Sequence, residues 1–286
     1  MRKPLVILVG LLTALSPTAP ASFLNLSTRV DIPTVGLGED ITSVIGGFII
    51  GGNFGRKILI RALGPSLAQF GLDPLRDPTL ELHDATGAII ASNDNWMDTQ
   101  ETEIAATGLA PSNEFESAVL ITIPPGNYTA IVRGHAEDGS PPGAFSGTTL
   151  IEVYDISETI SAGLENISTR GAVKPSSDPM ITGFVIANGT DQSVLLRGLG
   201  PSLVDFGLDG LGDPRLDLFD GEGNLLASND NWQESQASEI EATGLAPPDA
   251  LEPAILMTLP RGSYTAILAP ADGVSHGVVL AELYKL

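Results

Sequence analysis

Asn93, Asp94 and Asn95 set three oxygen-bearing side chains in a row, with Trp96 immediately after them. The same four residues recur as Asn229, Asp230, Asn231 and Trp232. Asp84 lies one short turn upstream of the first set, and Asp220 upstream of the second. Calcium takes about six to eight oxygens from carboxylates, amides and carbonyls, so such a group has the right donors for it. Asp84, Asn93, Asp94 and Asn95 are thus candidate metal ligands in one half of the chain, and Asp220, Asn229, Asp230 and Asn231 in the other, with calcium as the candidate ion. The competing reading is an Asx-rich turn whose side chains bond their own backbone. Trp96 and Trp232 are the only tryptophans. Exposed, they would offer a stacking platform for sugar; buried, they would anchor the turn.

Two arginines stand out because basic residues are scarce. Arg61 and Arg197 lie within apolar, strand-like runs, and Glu152 and Glu282 lie within the last such run of each half. An inward arginine needs an acidic partner or a route to water. The expected structural ion pairs join Arg61 to Glu152 or Asp84, and Arg197 to Glu282 or Asp220. A catalytic set is harder to assemble. His83 aligns with Phe219, His135 falls where the second half is shorter, and His276 has no clear counterpart. Ser66 and Ser202 sit in Gly-Pro-Ser-Leu and lack the strand-to-helix setting of a nucleophile elbow. Their expected role is capping a short helix after proline.

These residues belong to one unit written twice. Trp96 and Trp232 lie 136 residues apart (232 less 96), as do Arg61 and Arg197. Arg29 and Arg170, at the start of each copy, lie 141 apart (170 less 29), which places a five-residue insertion in the first copy near residues 35–40. A period this long marks a duplicated domain rather than a solenoid. Within each copy, short apolar runs alternate with glycine and proline turns, giving about seven strands, the count of a β-sandwich. Two short helical pieces interrupt them. One follows Pro65 and stops at Gly71; the other covers residues 99–107, with Asp98 as its expected cap and Glu101 in the capping-box position. No helical pattern is long enough to cover a parallel sheet. The expected fold is all-β, two tandem antiparallel jelly-roll-like sandwiches over residues 24–156 and 164–286, joined by a linker at 157–163.

Residues 1–21 read as a secretory signal peptide, with Arg2 and Lys3 before an apolar run and Ala19-Pro20-Ala21 as the cleavage pattern. An uncleaved anchor is the alternative. No second long apolar run follows, so no membrane span is expected after cleavage. The formal net charge of −21 opposes binding to nucleic acid or anionic lipid. The absence of cysteine removes disulfides, thiolate catalysis and zinc–thiolate sites.

The segment LELHD, Gly87, residues 91–95 and Gly126-Asn127-Tyr128 to Val132 resembles the bacterial pre-peptidase C-terminal (PPC-type) β-sandwich domain. The second copy matches through Gly262-Ser263-Tyr264 to Leu268. With RALGPSL added, the unit is also similar to tandem modules of secreted bacterial proteins. The ILIRALGPSL segment departs from the PPC pattern, which leaves strand order open. The resemblance implies a jelly-roll-like sandwich, export, accessory rather than catalytic work, and calcium at the Asp and Asn turn in some members. The expected function is a secreted, non-catalytic binding or structural module at or beyond the cell surface, whose partner is an extracellular protein or polysaccharide. The alternatives are a carbohydrate-binding module using Trp96 and Trp232 and, third, an accessory domain of a secreted hydrolase.

Overall fold

The computed structural model describes residues 22–32, 43–135, 146–157, 163–174, 178–187 and 191–286. The expected signal peptide therefore lies outside the described residues, as do the insertion near 35–40 and most of the expected linker. The first repeat supplies β1 (Ser22–Ile32), β2 (Val44–Ile50), β3 (Arg56–Leu63), β4 (Pro78–His83), β5 (Ile89–Asn93), β6 (Ser117–Ile123), β7 (Gly126–Gly134) and β8 (Gly147–Asp155). The second supplies β9 (Leu164–Val173), β10 (Met180–Ala187), β11 (Gln192–Leu199), β12 (Pro214–Asp220), β13 (Leu225–Asn229), β14 (Ala254–Leu259), β15 (Gly262–Pro270) and β16 (Gly277–Lys285). Two short helices, α1 (Glu101–Ala106) and α2 (Ala237–Ala242), precede β6 and β14.

Period-two patterning explains the strands. In β4, Leu80 and Leu82 are buried while Thr79, Glu81 and His83 are only partly covered. Strand β8 is buried along its whole length, because it is covered on both faces. The hairpin between β4 and β5 turns at Gly87, whose φ of +82° suits glycine, and Gly223 repeats it at +83°. Gly64 and Gly200 are glycines for a different reason. A Cβ at Gly64 would lie 2.0 Å from the Leu75 carbonyl oxygen, and one at Gly200 would lie 2.2 Å from that of Leu211.

Pairing departs from two self-contained units. The strands form two antiparallel ladders, β6-β3-β8-β1-β10-β15-β12-β13 and β14-β11-β16-β9-β2-β7-β4-β5. Each ladder contains strands of both repeats. The first strand of each repeat crosses over: β1 joins its own β8 to the other repeat's β10, and β9 joins its own β16 to β2. Parallel bridges at Phe23–Leu164 and Asp31–Ala172 tie β1 to β9. At this crossing Thr28 and Thr169, equivalent residues of the two repeats, share a hydroxyl–hydroxyl hydrogen bond of 2.9 Å. The inner faces of both ladders close on one core drawn from both repeats, including Phe23, Phe48, Ile60 and Phe184. A duplicated sequence can bury its apolar faces within each copy or between copies, and its periodicity is the same in both cases. The exchange was therefore invisible in the pattern.

Candidate functional site

Several polar residues common to both repeats gather beneath the segment that links β5 to β6 or β13 to β14. This segment carries the short helix and folds back over the strands. Leu59, Trp96, Ile104, Ala118, Leu120 and Tyr154 form a second small core beneath it. Leu195, Trp232, Ile240 and Ala254 form its counterpart.

Each tryptophan pins this cap. Trp96 is 6 % exposed and Trp232 is 5 % exposed. The Trp96 indole N–H donates to the Asn113 carbonyl at 3.1 Å, and that of Trp232 to the Asp249 carbonyl at 3.1 Å. Neither ring offers a face for a sugar to stack on, which corrects the expectation of a stacking platform. Asn93 works beside Trp96. Its side-chain oxygen accepts the Ala118 N–H at 2.9 Å, and its amide donates to the Asn95 carbonyl at 2.9 Å. Asn229 repeats both bonds, at 2.8 Å to the Ala254 N–H and 3.0 Å to the Asn231 carbonyl.

The expected metal set is not brought together. Asp84 sits at the tip of the β4–β5 hairpin, where one carboxylate oxygen accepts the Thr86 hydroxyl at 2.6 Å, the Thr86 N–H at 2.8 Å and the Ala88 N–H at 3.2 Å. Those bonds, the Thr86 hydroxyl first, hold its carboxyl below the usual range. Asp220 is used the same way by Glu222 and Asn224. Asn93 and Asn229 lie at the opposite end of the hairpin, paired with Leu80 and Leu216. Asn95 and Asn231 reach toward Asp98 and Glu234, at 3.5 and 3.4 Å. Asp94 instead meets His135, with Nδ1 3.0 Å from its carboxylate. Asp230, its counterpart, contributes to the field on Asp213.

The ion pairs form with the glutamates, not with Asp84 or Asp220. Arg61 Nε donates to Glu152 at 2.9 Å, Nη1 to the Leu109 carbonyl at 2.5 Å and Nη2 to the Tyr154 hydroxyl at 3.0 Å. Tyr154 in turn donates to Glu152 at 2.9 Å. Arg197 repeats the arrangement with Glu282 at 2.6 Å, the Leu245 carbonyl at 2.6 Å and the Tyr284 hydroxyl at 3.3 Å. Each guanidinium also lies over its tyrosine ring, 5.0 Å away for Arg61 and 5.3 Å for Arg197. Burial works against the charge on Arg61, yet Glu152 and Tyr154 hold its pKa above the ordinary value.

Tyr284 supplies a pH signature. Burial, reinforced by its bond to Glu282, pushes the phenol up to about 12, whereas an unfolded tyrosine titrates near 10. The folded chain therefore holds this proton more tightly than the unfolded chain does. That contribution is complete below about pH 10 and is lost as pH rises through about 12. Tyr284→Phe should flatten the alkaline fall in stability across that window, as followed by denaturant titration. Equal slopes in the variant and the parent protein would refute this.

Glu116 and Glu252 are the residues that sequence reasoning passed over. Both are fully buried. Glu116 accepts the Gly64 N–H at 3.1 Å, the Ser66 N–H at 3.0 Å, the Ser66 hydroxyl at 2.5 Å and the Asn113 N–H at 3.3 Å. Glu252 makes the matching bonds to Gly200, Ser202 and Asp249. Ser66 and Ser202 thus donate to a buried carboxylate and cap no helix. Their common spacing of 136 was the available signal, but each glutamate stands at the edge of a strand-like run and reads as a solvated strand start. Helix α1 is likewise shorter than expected. Gln100, not Asp98, precedes it, and its side chain bonds the Leu120 backbone at 2.7 and 2.9 Å instead of capping the helix.

No family model and no curated protein matches this chain significantly. Among solved structures it is similar to the STIV MCP, with 13 % identity, 93 % of this chain and 96 % of that one covered, and a TM-score of 0.24. It is also similar to the tandem CBM51 modules of a family 98 glycoside hydrolase from Streptococcus pneumoniae, with 10 % identity, coverage of 91 % and 83 %, and a TM-score of 0.25. Scores this low transfer neither protein's role to this chain.

Proposed function

We propose that the chain acts outside the cell as a non-catalytic binding or structural module, built from two interlocked jelly-roll-like sandwiches. One observation carries this reading: several shared polar residues, Arg61, Glu116, Asn93 and their counterparts among them, are turned inward, while large apolar side chains are turned outward at matched positions. Arg61, Glu116, Asn93 and Trp96 are all committed to internal bonds. Phe70 and Phe115 are half exposed, and their counterparts Phe206 and Leu251 are 80 % and 48 % exposed. Phe115 precedes the buried Glu116, and Phe70 ends the turn that Glu116 holds. Repeated apolar groups on a rigid, acidic body suit contact with an extracellular protein or polysaccharide. Among the described residues, no helix is long and apolar enough to cross a membrane.

Expression from the full gene should yield material in the medium that begins near Ser22, as read by N-terminal sequencing; secreted material beginning at Met1 would count against the leader. That mature protein should sediment with isolated cell-wall polysaccharide or with the surface-protein fraction of the producing cells. Phe70→Ser combined with Phe206→Ser should weaken sedimentation without shifting the melting temperature. Retention unchanged in that double variant would overturn the assignment of contact to these side chains.

A further inference from the structure

We propose that Asp77, Asp94 and His135 form a site for one divalent transition-metal ion of the zinc type. Three neighbouring strands build it. Asp94 directly follows β5, Asp77 directly precedes β4, and His135 directly follows β7. The ladder continues one step past the strand ends, where the His135 N–H donates to the Asp77 carbonyl at 2.6 Å. One ligand atom from each side chain lies within 4.8 Å of the other two.

The Asp94–His135 contact does not use up the group. Asp94 Oδ1 is shielded from solvent and has no donor among the described residues. That buried acceptor, next to an imidazole nitrogen and a second carboxylate, points to a cation that the ion pair leaves unsupplied. The donor set selects the ion. Two carboxylate oxygens and one imidazole nitrogen fit a tetrahedral zinc site that keeps a fourth position for water. Calcium takes about six to eight oxygens, and three side chains including a histidine are a poor match for it. The side chains of Asp94 and His135 are 37 % and 38 % exposed, so an ion can enter without the fold opening.

The second repeat keeps the construction without the nitrogen ligand. Asp213 precedes β12, Asp230 follows β13, and Ala271 stands where His135 does, with its N–H on the Asp213 carbonyl at 2.9 Å. Burial, with Asp230 and Asp272 nearby, raises the Asp213 carboxyl. One zinc-type ion per chain is therefore expected, not two.

The test uses the full mature chain after treatment with a chelator. Zinc titrated by calorimetry should bind with a stoichiometry of one and raise the melting temperature, because an ion held only by the folded state stabilises it. Cobalt(II) should give the visible absorption of a low-coordinate nitrogen–oxygen site. His135→Ala and Asp94→Asn should each abolish the cobalt band and the thermal shift, while Asp213→Asn should leave both intact. Saturating zinc that moves neither the heat signal nor the melting curve would overturn the proposal. So would binding that survives His135→Ala, or a thermal response to calcium with none to zinc.

Discussion

A chain cut between its two repeats is expected to stay in one piece. With a protease site placed within residues 158–162 and cleaved to completion, the halves should co-elute at the size of the intact protein in the absence of denaturant. The reason lies in the crossing strands. Strand β1 hydrogen-bonds β10 from Ser22–Ala187 to Arg29–Ile181, and β9 hydrogen-bonds β2 from Ile45–Arg170 to Ile50–Leu164. Separation would open both ladders and expose a core that includes Phe23, Phe48 and Phe184. Full burial of one such side chain is worth about 1.5–3 kcal/mol, so even a few of them hold the halves together. Two folded monomeric halves on the column would show that the repeats are independent and that the exchange is wrong. The same geometry leaves each half, made alone, with one open edge on its first strand and another on its own β2 or β10.

Replacing Arg61 with methionine should cost about 3–5 kcal/mol of stability, the usual penalty for leaving a buried charge without its partner. Arg61 and Glu152 side chains are 13 % and 5 % exposed, so water does little to screen the loss. Methionine keeps most of the stem, so the change reads the charge rather than the volume. The Leu109 carbonyl and the Tyr154 hydroxyl would each lose their donor at the same time. Arg61→Met with Glu152→Gln should recover part of the loss, because the stranded carboxylate is then neutral. Denaturant unfolding of the single variant at the parent's midpoint would show that the pair contributes little. Arg197→Met should behave alike.

Much of this was legible beforehand, for identifiable reasons. Alternation of Leu80 and Leu82 with polar neighbours fixes β4, and glycine at positions 87 and 223 marks its hairpin. Arg61 and Glu152 could be matched because a charge repeated inside an apolar run needs a partner, although the sequence left Asp84 as an equal choice. What chose Glu152 is register: Arg61 stands directly opposite it on β8. The metal set failed for the converse reason. Asp84 and Asn93 are close in sequence, but a hairpin places them at opposite ends of its two strands. His135 has no counterpart in the second repeat, where Ala271 stands instead, so the duplication does not single it out. The exchange of β1 and β9 left no trace in composition or period, since equivalent strands present equivalent faces.

The crossing strands also bear on how the protein meets a mechanical load. Domains strung like beads give way one at a time under tension, each yielding while its neighbour holds. Here any pull that draws the repeats apart loads the β1–β10 and β2–β9 ladders together, with the Thr28–Thr169 contact at the centre between them. Neither repeat can serve as the weak link that spares the other. The chain would resist extension up to a single rupture and then lose both halves at once, which makes it a rigid strut and not a shock absorber.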